Sequence, residues 1–435
     1  MTTVTSAPRT SLWRNTRYVL WLISDTSKGL SGSLANFAIP LIALFVTEDP
    51  VQAGVIAAVG QVVRLIVTLY GGVLADRHGR IGLMLIGALT GAVLAGGFTL
   101  LILGDALAFT TILLAEVLLM IRAGLYEPAS ESALKELVPA ETMGRAQAAN
   151  QGRDAVLQLA GGPIGGALLA VGAWLVGAVM TACYAVSAIT TVALRRSARR
   201  AGIVDGPVAG EVDAAASTPS TPNAWAEIRE GFRWLFSRPD LGGILVIVTI
   251  VNLGFSAVTT TVIYSLQQSG HSALTIGWVS SGLGVVMLVG ALIAPALVPR
   301  FGAGILTIVG LTVATAGAAV VSMIENPWGI VATLGAAVFL VPALNASLMG
   351  YFMVATPTQL LGRANSAAGV LGMGAMPLAP LIAGVGLAYF GRPNTILFAA
   401  GLCAVAVVLA IGNRALRALP SEAGWAAHAK QFELR

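Results

Sequence analysis

Twelve apolar stretches, each long enough to cross a bilayer, decide most of what this chain can be. They run at 17–46, 51–75, 81–103, 107–137, 146–172, 174–194, 241–266, 275–298, 304–323, 327–356, 365–390 and 394–413. A spanning helix needs about 20 apolar residues, and every stretch reaches that length. Several exceed it, so tilt or protrusion is expected. Inside a bilayer each backbone N–H and C=O must be paired within the protein, and over apolar stretches of this length a helix does so. The expected fold class is therefore an all-α membrane protein with twelve transmembrane helices. Only 10% of the residues are charged, against about 25% in soluble domains. That composition excludes a disordered chain, a nucleic-acid module and an ordinary soluble enzyme.

The basic residues orient these spans. With both termini on the cytoplasmic side, 20 of the 25 Lys and Arg residues fall in cytoplasmic segments. Arg392 alone falls outside, and Lys28, Arg64, Arg122 and Arg153 lie within spans. An odd number of spans would scramble this positive-inside asymmetry. The net charge of +5 follows from those loops and implies no nucleic-acid partner. Cys183 and Cys403 both lie in apolar stretches, where a cysteine packs as a small apolar residue. No histidine has metal-ligand spacing, and no metal site is expected. Arg is abundant relative to Lys, as are Ala and Gly, which points to a bacterial cytoplasmic membrane as the location. The polar N-terminus lacks the pattern of a secretory leader.

Residues 195–240 divide the chain into an N-terminal bundle, 1–194, and a C-terminal bundle with its tail, 241–435. The divider opens with Arg195, Arg196, Arg199 and Arg200 and passes through a Ser/Thr/Pro-rich piece, Ser217 to Pro222. It ends with Trp225, Ile228, Phe232 and Leu235 on one helical face. That amphipathic face is expected to lie on the inner membrane surface.

The two bundles are copies. Leu74-Ala-Asp-Arg-His-Gly79 follows span 2, and Leu297-Val-Pro-Arg-Phe-Gly302 follows span 8. Gly144-Arg-Ala-Gln-Ala-Ala149 opens span 5, and Gly362-Arg-Ala-Asn-Ser-Ala367 opens span 11. Pro163 corresponds to Pro380. The three offsets, 223, 218 and 217, agree closely. Duplicated bundles of this kind place a substrate site near the midplane.

With those motifs in place, the sequence resembles the major facilitator superfamily over essentially its whole length. Gly72-Val-Leu-Ala-Asp76-Arg77-His78-Gly79-Arg80 resembles the superfamily's signature loop, with Ile81 where a further basic residue is usual. Ser24-Asp25, Glu127-Pro128-Ala129 and Glu227 to Leu235 are similar to the drug–proton antiporter branch of macrolide-efflux and enterobactin-exporter type. The resemblance implies a proton-coupled exporter of amphipathic or lipophilic molecules, with roles in multidrug resistance or siderophore export. It implies no cofactor beyond the proton gradient, and a monomer among membrane lipids. It also places Asp76 at the start of span 11, near Asn365, where a helix N-terminus stabilises an anion. Gly72 is expected to allow close helix approach and Gly79 a tight turn. Pro299 replaces the acid in the second copy, so this latch is one-sided. Gly162, Pro163, Gly165 and Gly166 resemble an exporter motif of span 5, one residue short; close packing explains the same glycines.

Charges within spans are costly, about 2.5–3.5 kcal/mol at the bilayer centre. Four acids, Asp25, Glu116, Glu127 and Asp154, and four bases, Lys28, Arg64, Arg122 and Arg153, nevertheless lie in or near spans 1 to 5. Spans 7 to 12 have none in their interiors. Proton coupling is thus expected in the first bundle, through Asp25 first, then Glu127 and Asp154, tuned by Arg64, Arg122 and Lys28. Asp25 lies roughly 12 Å into its helix and Arg64 roughly 15 Å into the next, so the two are expected to meet. A fixed structural ion pair explains the same residues. Asp25, Gly29, Gly32 and Asn36 form a stripe suited to a wet cavity.

By the same resemblance, spans 1, 4, 7 and 10 line the substrate cavity. That selects Asn36, Tyr126, Asn252, Tyr264, Asn345 and Met349, an expected mostly apolar lining. A facilitator or importer of an endogenous solute or lipid is the alternative, and a non-transporting sensor a third reading. No nucleotide-binding loop or nucleophile–base pair supports an enzyme.

Overall fold

The computed structural model describes residues 12–138, 140–200, 224–238, 240–357 and 360–433. The Ser/Thr/Pro-rich piece falls outside them. Of the described residues none forms a strand, and sixteen α-helices follow in order. The first bundle contains α1 (Thr16–Thr47), α2 (Pro50–Arg77), α3 (Arg80–Leu103), α4 (Phe109–Leu137), α5 (Ala140–Val171) and α6 (Ala173–Arg200). Then come α7 (Ala224–Ser237), α8 (Gly242–Gln268), α9 (Ala273–Leu297), α10 (Ala303–Val320), α11 (Pro327–Val338) and α12 (Val341–Ala355). The chain closes with α13 (Leu361–Gly374), α14 (Leu378–Gly412), α15 (Arg414–Arg417) and α16 (Trp425–Glu433).

Eleven helical segments among the described residues are long and apolar enough to span a membrane. The last, Arg363–Gly412, has 50 residues. At 1.5 Å per residue it is about 75 Å long, over twice the roughly 30 Å hydrocarbon core. It therefore holds two crossings, and the backbone turns between them at Gly391, where φ is 74°. Only glycine adopts that angle without strain. Spans 11 and 12 are thus both present.

Two further breaks interrupt the second bundle. α11 stops at Val338 and α12 restarts at Val341-Pro342. Proline has no N–H to donate, and its ring clashes with the carbonyl one turn back. α13 stops at Gly374, and Met376-Pro377 carries tight turns into α14. The freed carbonyls of Leu371 and Gly372 accept from Thr249 Oγ1 at 3.0 Å and Asn252 Nδ2 at 3.2 Å. In the first bundle Pro40, Pro128 and Pro163 sit inside unbroken helices.

The chain forms two compact units. One takes the described residues within Met1–Ile39 and Val62–Ala214; the other takes those within Pro40–Gln61 and Ala215–Arg435. A cut between spans 6 and 7 would leave 40–61 with the first bundle, whereas their contacts join them to the second unit. Backbones are the reason. A Cβ on Gly54 would strike the Pro380 carbonyl, and one on Gly384 the Pro50 carbonyl. Gln267 Nε2 also donates to Leu41 O at 2.8 Å.

The C-terminal part of the apolar face of α7 is covered by protein. Leu235 is fully buried and Phe232 packs against the same core. A Cβ on Gly231 would strike the Arg363 carbonyl, and Arg363 pairs with Glu230 at 2.8 Å. That part of the face binds α13, since burying it in protein satisfies it as well as lipid would. The side chains of Trp225 and Ile228 lie outside the described part. The tail also folds back. α16 buries Trp425 against Gly350 of α12 and sets His428 beside the Tyr351 ring. Beneath it Arg238 pairs with Asp240 at 2.8 Å, and Tyr351 Oη donates to Asp240 at 2.6 Å.

Candidate functional site: a charged cavity in the first unit

A cavity of about 520 Å³ lies within the first unit. The small-residue stripe of α1 forms one wall: Asp25, Gly29, Gly32 and Asn36 all line it. Lys28 and Ser33 from α1, Arg64 from α2, Glu127 and Glu131 from α4, and Gln147, Asn150, Arg153, Asp154 and Gln158 from α5 complete its polar lining. α1 and α5 approach because glycines allow it. A Cβ on Gly161 would crowd Ser33 at 3.0 Å, and one on Gly165 would press Phe37 at 2.7 Å. Most of the lining is charged or polar, because α1, α4 and α5 turn their ionisable faces toward one another.

Asp25 is the hub. It is 9% exposed. Lys28 Nζ lies 2.7 Å from one carboxylate oxygen, and Arg153 Nη1 lies 2.7 Å from the other. Ser130 Oγ donates a third contact at 2.5 Å. Arg153 reaches on to Asp154 at 2.7 Å and stands 5.7 Å from the Trp21 ring centroid. Trp21 Nε1 donates to Ser130 O at 2.9 Å, closing the ring of contacts. Arg64 does not pair with Asp25. It pairs with Glu127 at 2.9 Å. Depth along a helix gave comparable heights for Arg64 and Asp25, but the rotation of α2 aims Arg64 at α4.

The other expected residues scatter. Arg122 is buried and donates to the Tyr184 hydroxyl, with its guanidinium 4.6 Å from that ring's centroid. It belongs to the packing of α4 on α6, outside the charged cavity. Tyr126 packs on α3 because Gly87 has no side chain there. Glu116 is buried on α4 and makes no ion pair among the described residues. Tyr264 is fully buried, Asn252 caps the break after α13, and Asn345 and Met349 are exposed on α12. In the signature loop, Arg77 is exposed, while Arg80 binds Glu136 at 2.8 Å and Ser132 O at 3.2 Å. The side chain of Asp76 lies outside the described part. Gly72 has open space where a Cβ would sit; the close approach belongs to Gly71, whose Cβ would strike the Gly124 carbonyl. Gly79 has φ −58° and ψ 117°, a conformation open to any residue. Gly162, Pro163 and Gly166 lie within unbroken α5.

Glu131 and Asn150 were missed. Glu131 stands one turn beyond Glu127 on the same face of α4, and Asn150 one turn before Arg153 on α5. Those spacings were the available signal.

Residues 26–380 match the family described as the Major Facilitator Superfamily. The chain belongs to the major facilitator superfamily. Superfamily membership makes it a multi-pass membrane transporter and not an enzyme. Among its relatives, the multidrug efflux pump Tap of Mycolicibacterium fortuitum is 27% identical over 378 residues, covering 84% of this chain and 88% of that protein. A bacterial homologue of the iron transporter ferroportin, solved in an inward-facing state, superposes with a TM-score of 0.67 at 16% identity. That match covers 96% of this chain and all of the other. The nucleoside transporter NupG superposes with a TM-score of 0.64 at 13% identity, over 91% of this chain and all of its own. These two likenesses establish the fold. The all-α architecture of two six-span repeats is that of the superfamily.

Proposed function

We propose that the chain is a proton-coupled exporter of amphipathic small molecules, working by alternating access of its two bundles. The observation that carries this is the Asp25 hub. Ionisable groups inside membrane spans are expensive and mark ion or substrate paths. Here Asp25, Lys28, Arg153 and Asp154 form one connected chain at the wall of a cavity. Protonating Asp25 releases two cations at once, and one of them, Arg153, then has Asp154 alone. One proton therefore changes how α1, α4 and α5 are tied together. The efflux relative supports the direction of transport. The basic loops favour a cytoplasmic membrane with both termini inside.

The test uses energised inside-out vesicles with a pH-sensitive dye. Wild type and Asp25→Asn are challenged with lipophilic amines, macrolides, neutral antibiotics and siderophores. Substrate-triggered proton efflux in wild type, lost in Asp25→Asn, is the expected result. Equal efflux from the variant rejects Asp25 as the carrier. Substrate movement indifferent to the gradient rejects proton coupling.

A further inference from the structure

The charges of the cavity do not balance. Its wall carries four carboxylates against three cations. Each cation already has a partner: Lys28 and Arg153 hold Asp25, Arg153 also holds Asp154, and Arg64 holds Glu127. Glu131 is left. It is exposed, and it makes no ion pair among the described residues. A second observation is independent of charge. Asn150 lines the same cavity with only 7% of its surface exposed, and its Oδ1 has no hydrogen-bond partner. Buried amide oxygens are rarely left unpaired.

A carboxylate without a cation and an amide oxygen without a donor ask for the same thing, a positive group that carries N–H. A metal ion fits poorly, since no described group of three His, Cys, Asp or Glu residues is arranged to hold one. We infer that the cavity takes the ammonium head of a drug-sized lipophilic primary or secondary amine. Glu131 is its counter-ion, and Asn150 Oδ1 accepts one of its N–H bonds. Leu134 and Leu157 supply apolar wall for the body of the molecule. The volume of about 520 Å³ falls in the range of drug-sized pockets, about 300–1,000 Å³. This inference rests on the transport reading and names its substrate class.

Binding to the purified full-length chain tests it without any gradient. The probes are nortriptyline, a secondary amine ionised at neutral pH with no hydroxyl, and its N-methylated quaternary derivative, which has no donor at all. The amine is expected to bind saturably. Glu131→Gln should weaken both probes roughly tenfold, equivalent to about 1.4 kcal/mol. Glu131→Asp should stay within about threefold of wild type, since it keeps the charge. Asn150→Leu should weaken the amine roughly threefold to tenfold and leave the quaternary ion unchanged, because that ion has no N–H to donate. A melting curve accompanies each variant. If Glu131→Gln does not fold, the contrast between probes in Asn150→Leu decides. No saturable amine binding, a Glu131→Gln variant equal to wild type, or an Asn150→Leu loss equal for both probes overturns the proposal. Proton efflux driven by neutral compounds alone would leave the exporter reading standing and overturn this one.

Discussion

The two bundles are duplicates that have divided their physics. The first keeps α4 and α5 unbroken over 29 and 32 residues and places a charge network among its spans. The second has no Asp, Glu, Lys or Arg between the ends of its spans but breaks its helices after Val338 and after Gly374 and turns at Gly391. Both solutions put polar groups into a bilayer. The first uses side chains that satisfy one another. The second uses backbone carbonyls, satisfied by Thr249 and Asn252 from a neighbouring helix. Paired charges respond to protons; broken helices offer hinges. One copy is thus suited to sensing and the other to bending.

The largest expected effect is in the charged copy. Arg153→Met removes the ion-pair partner of Asp154 and one of the two cations on Asp25, leaving Lys28 in place. Breaking a buried pair outright costs about 3–5 kcal/mol, and because Lys28 still holds Asp25 and Asp154 is solvated, about 2–3 kcal/mol is expected here. A drop of that order in unfolding free energy, together with lost proton efflux, is expected. A drop below about 1 kcal/mol would mean that the network is surface-like, and the contrast between the bundles would fail.

Packing gives the next effect. Gly71→Ala would drive a methyl into the Gly124 carbonyl where α2 crosses α4. Overpacking costs typically about 1–3 kcal/mol. Gly72→Ala, one residue on, meets open space and should change stability by under about 0.5 kcal/mol. Melting of the two variants side by side checks this, and equal effects would refute the assigned crossing point.

In the broken copy, Asn252→Leu leaves the Gly372 carbonyl without its donor. The expected loss is about 1–3 kcal/mol, read by denaturant unfolding. No loss would show that water already serves that carbonyl, and that the break is not built around Asn252.

These comparisons show where the sequence was readable. Spans, repeats and the stripe from Asp25 to Asn36 follow from length and periodicity, which are local properties. Of the two cations on Asp25, Lys28 was local, three residues on, and Arg153 was not. Rise per residue gives height along a helix but not the rotation of its neighbour, so Arg64 was expected where Arg153 stands. Asn252 was placed in the cavity by the resemblance; its bond to the Gly372 carbonyl was not foreseen because spans 10 and 11 were read as continuous apolar runs. Pro342, Pro377 and Pro380 were the visible signs of interruption. The docked tail was equally open to reading, since Trp425, His428 and Phe432 recur at helical spacing.

That tail supplies the smallest effect and separates the bundles once more, since its charges lie outside the membrane. Burial alone would raise the Asp240 carboxyl, but hydrogen bonds from Arg238 and Tyr351 outweigh it and hold the group below the usual carboxylate range. Burial pushes His428 down from its ordinary value, with Arg238 pushing the same way and Asp240 opposing. Both signs agree. The undocked tail takes up a proton on His428 first, as pH falls through about 6.5. Asp240 keeps its contribution until pH falls further, toward its own lowered value. Between about pH 7 and about pH 5.5 the α16 amides should therefore exchange with solvent several-fold faster, relative to the intrinsic rate. His428→Phe keeps an aromatic ring against Tyr351 and carries no titrating group, so it should flatten that dependence. A dependence that survives the substitution would place the sensing group elsewhere, and would leave the second bundle with no part in reading pH.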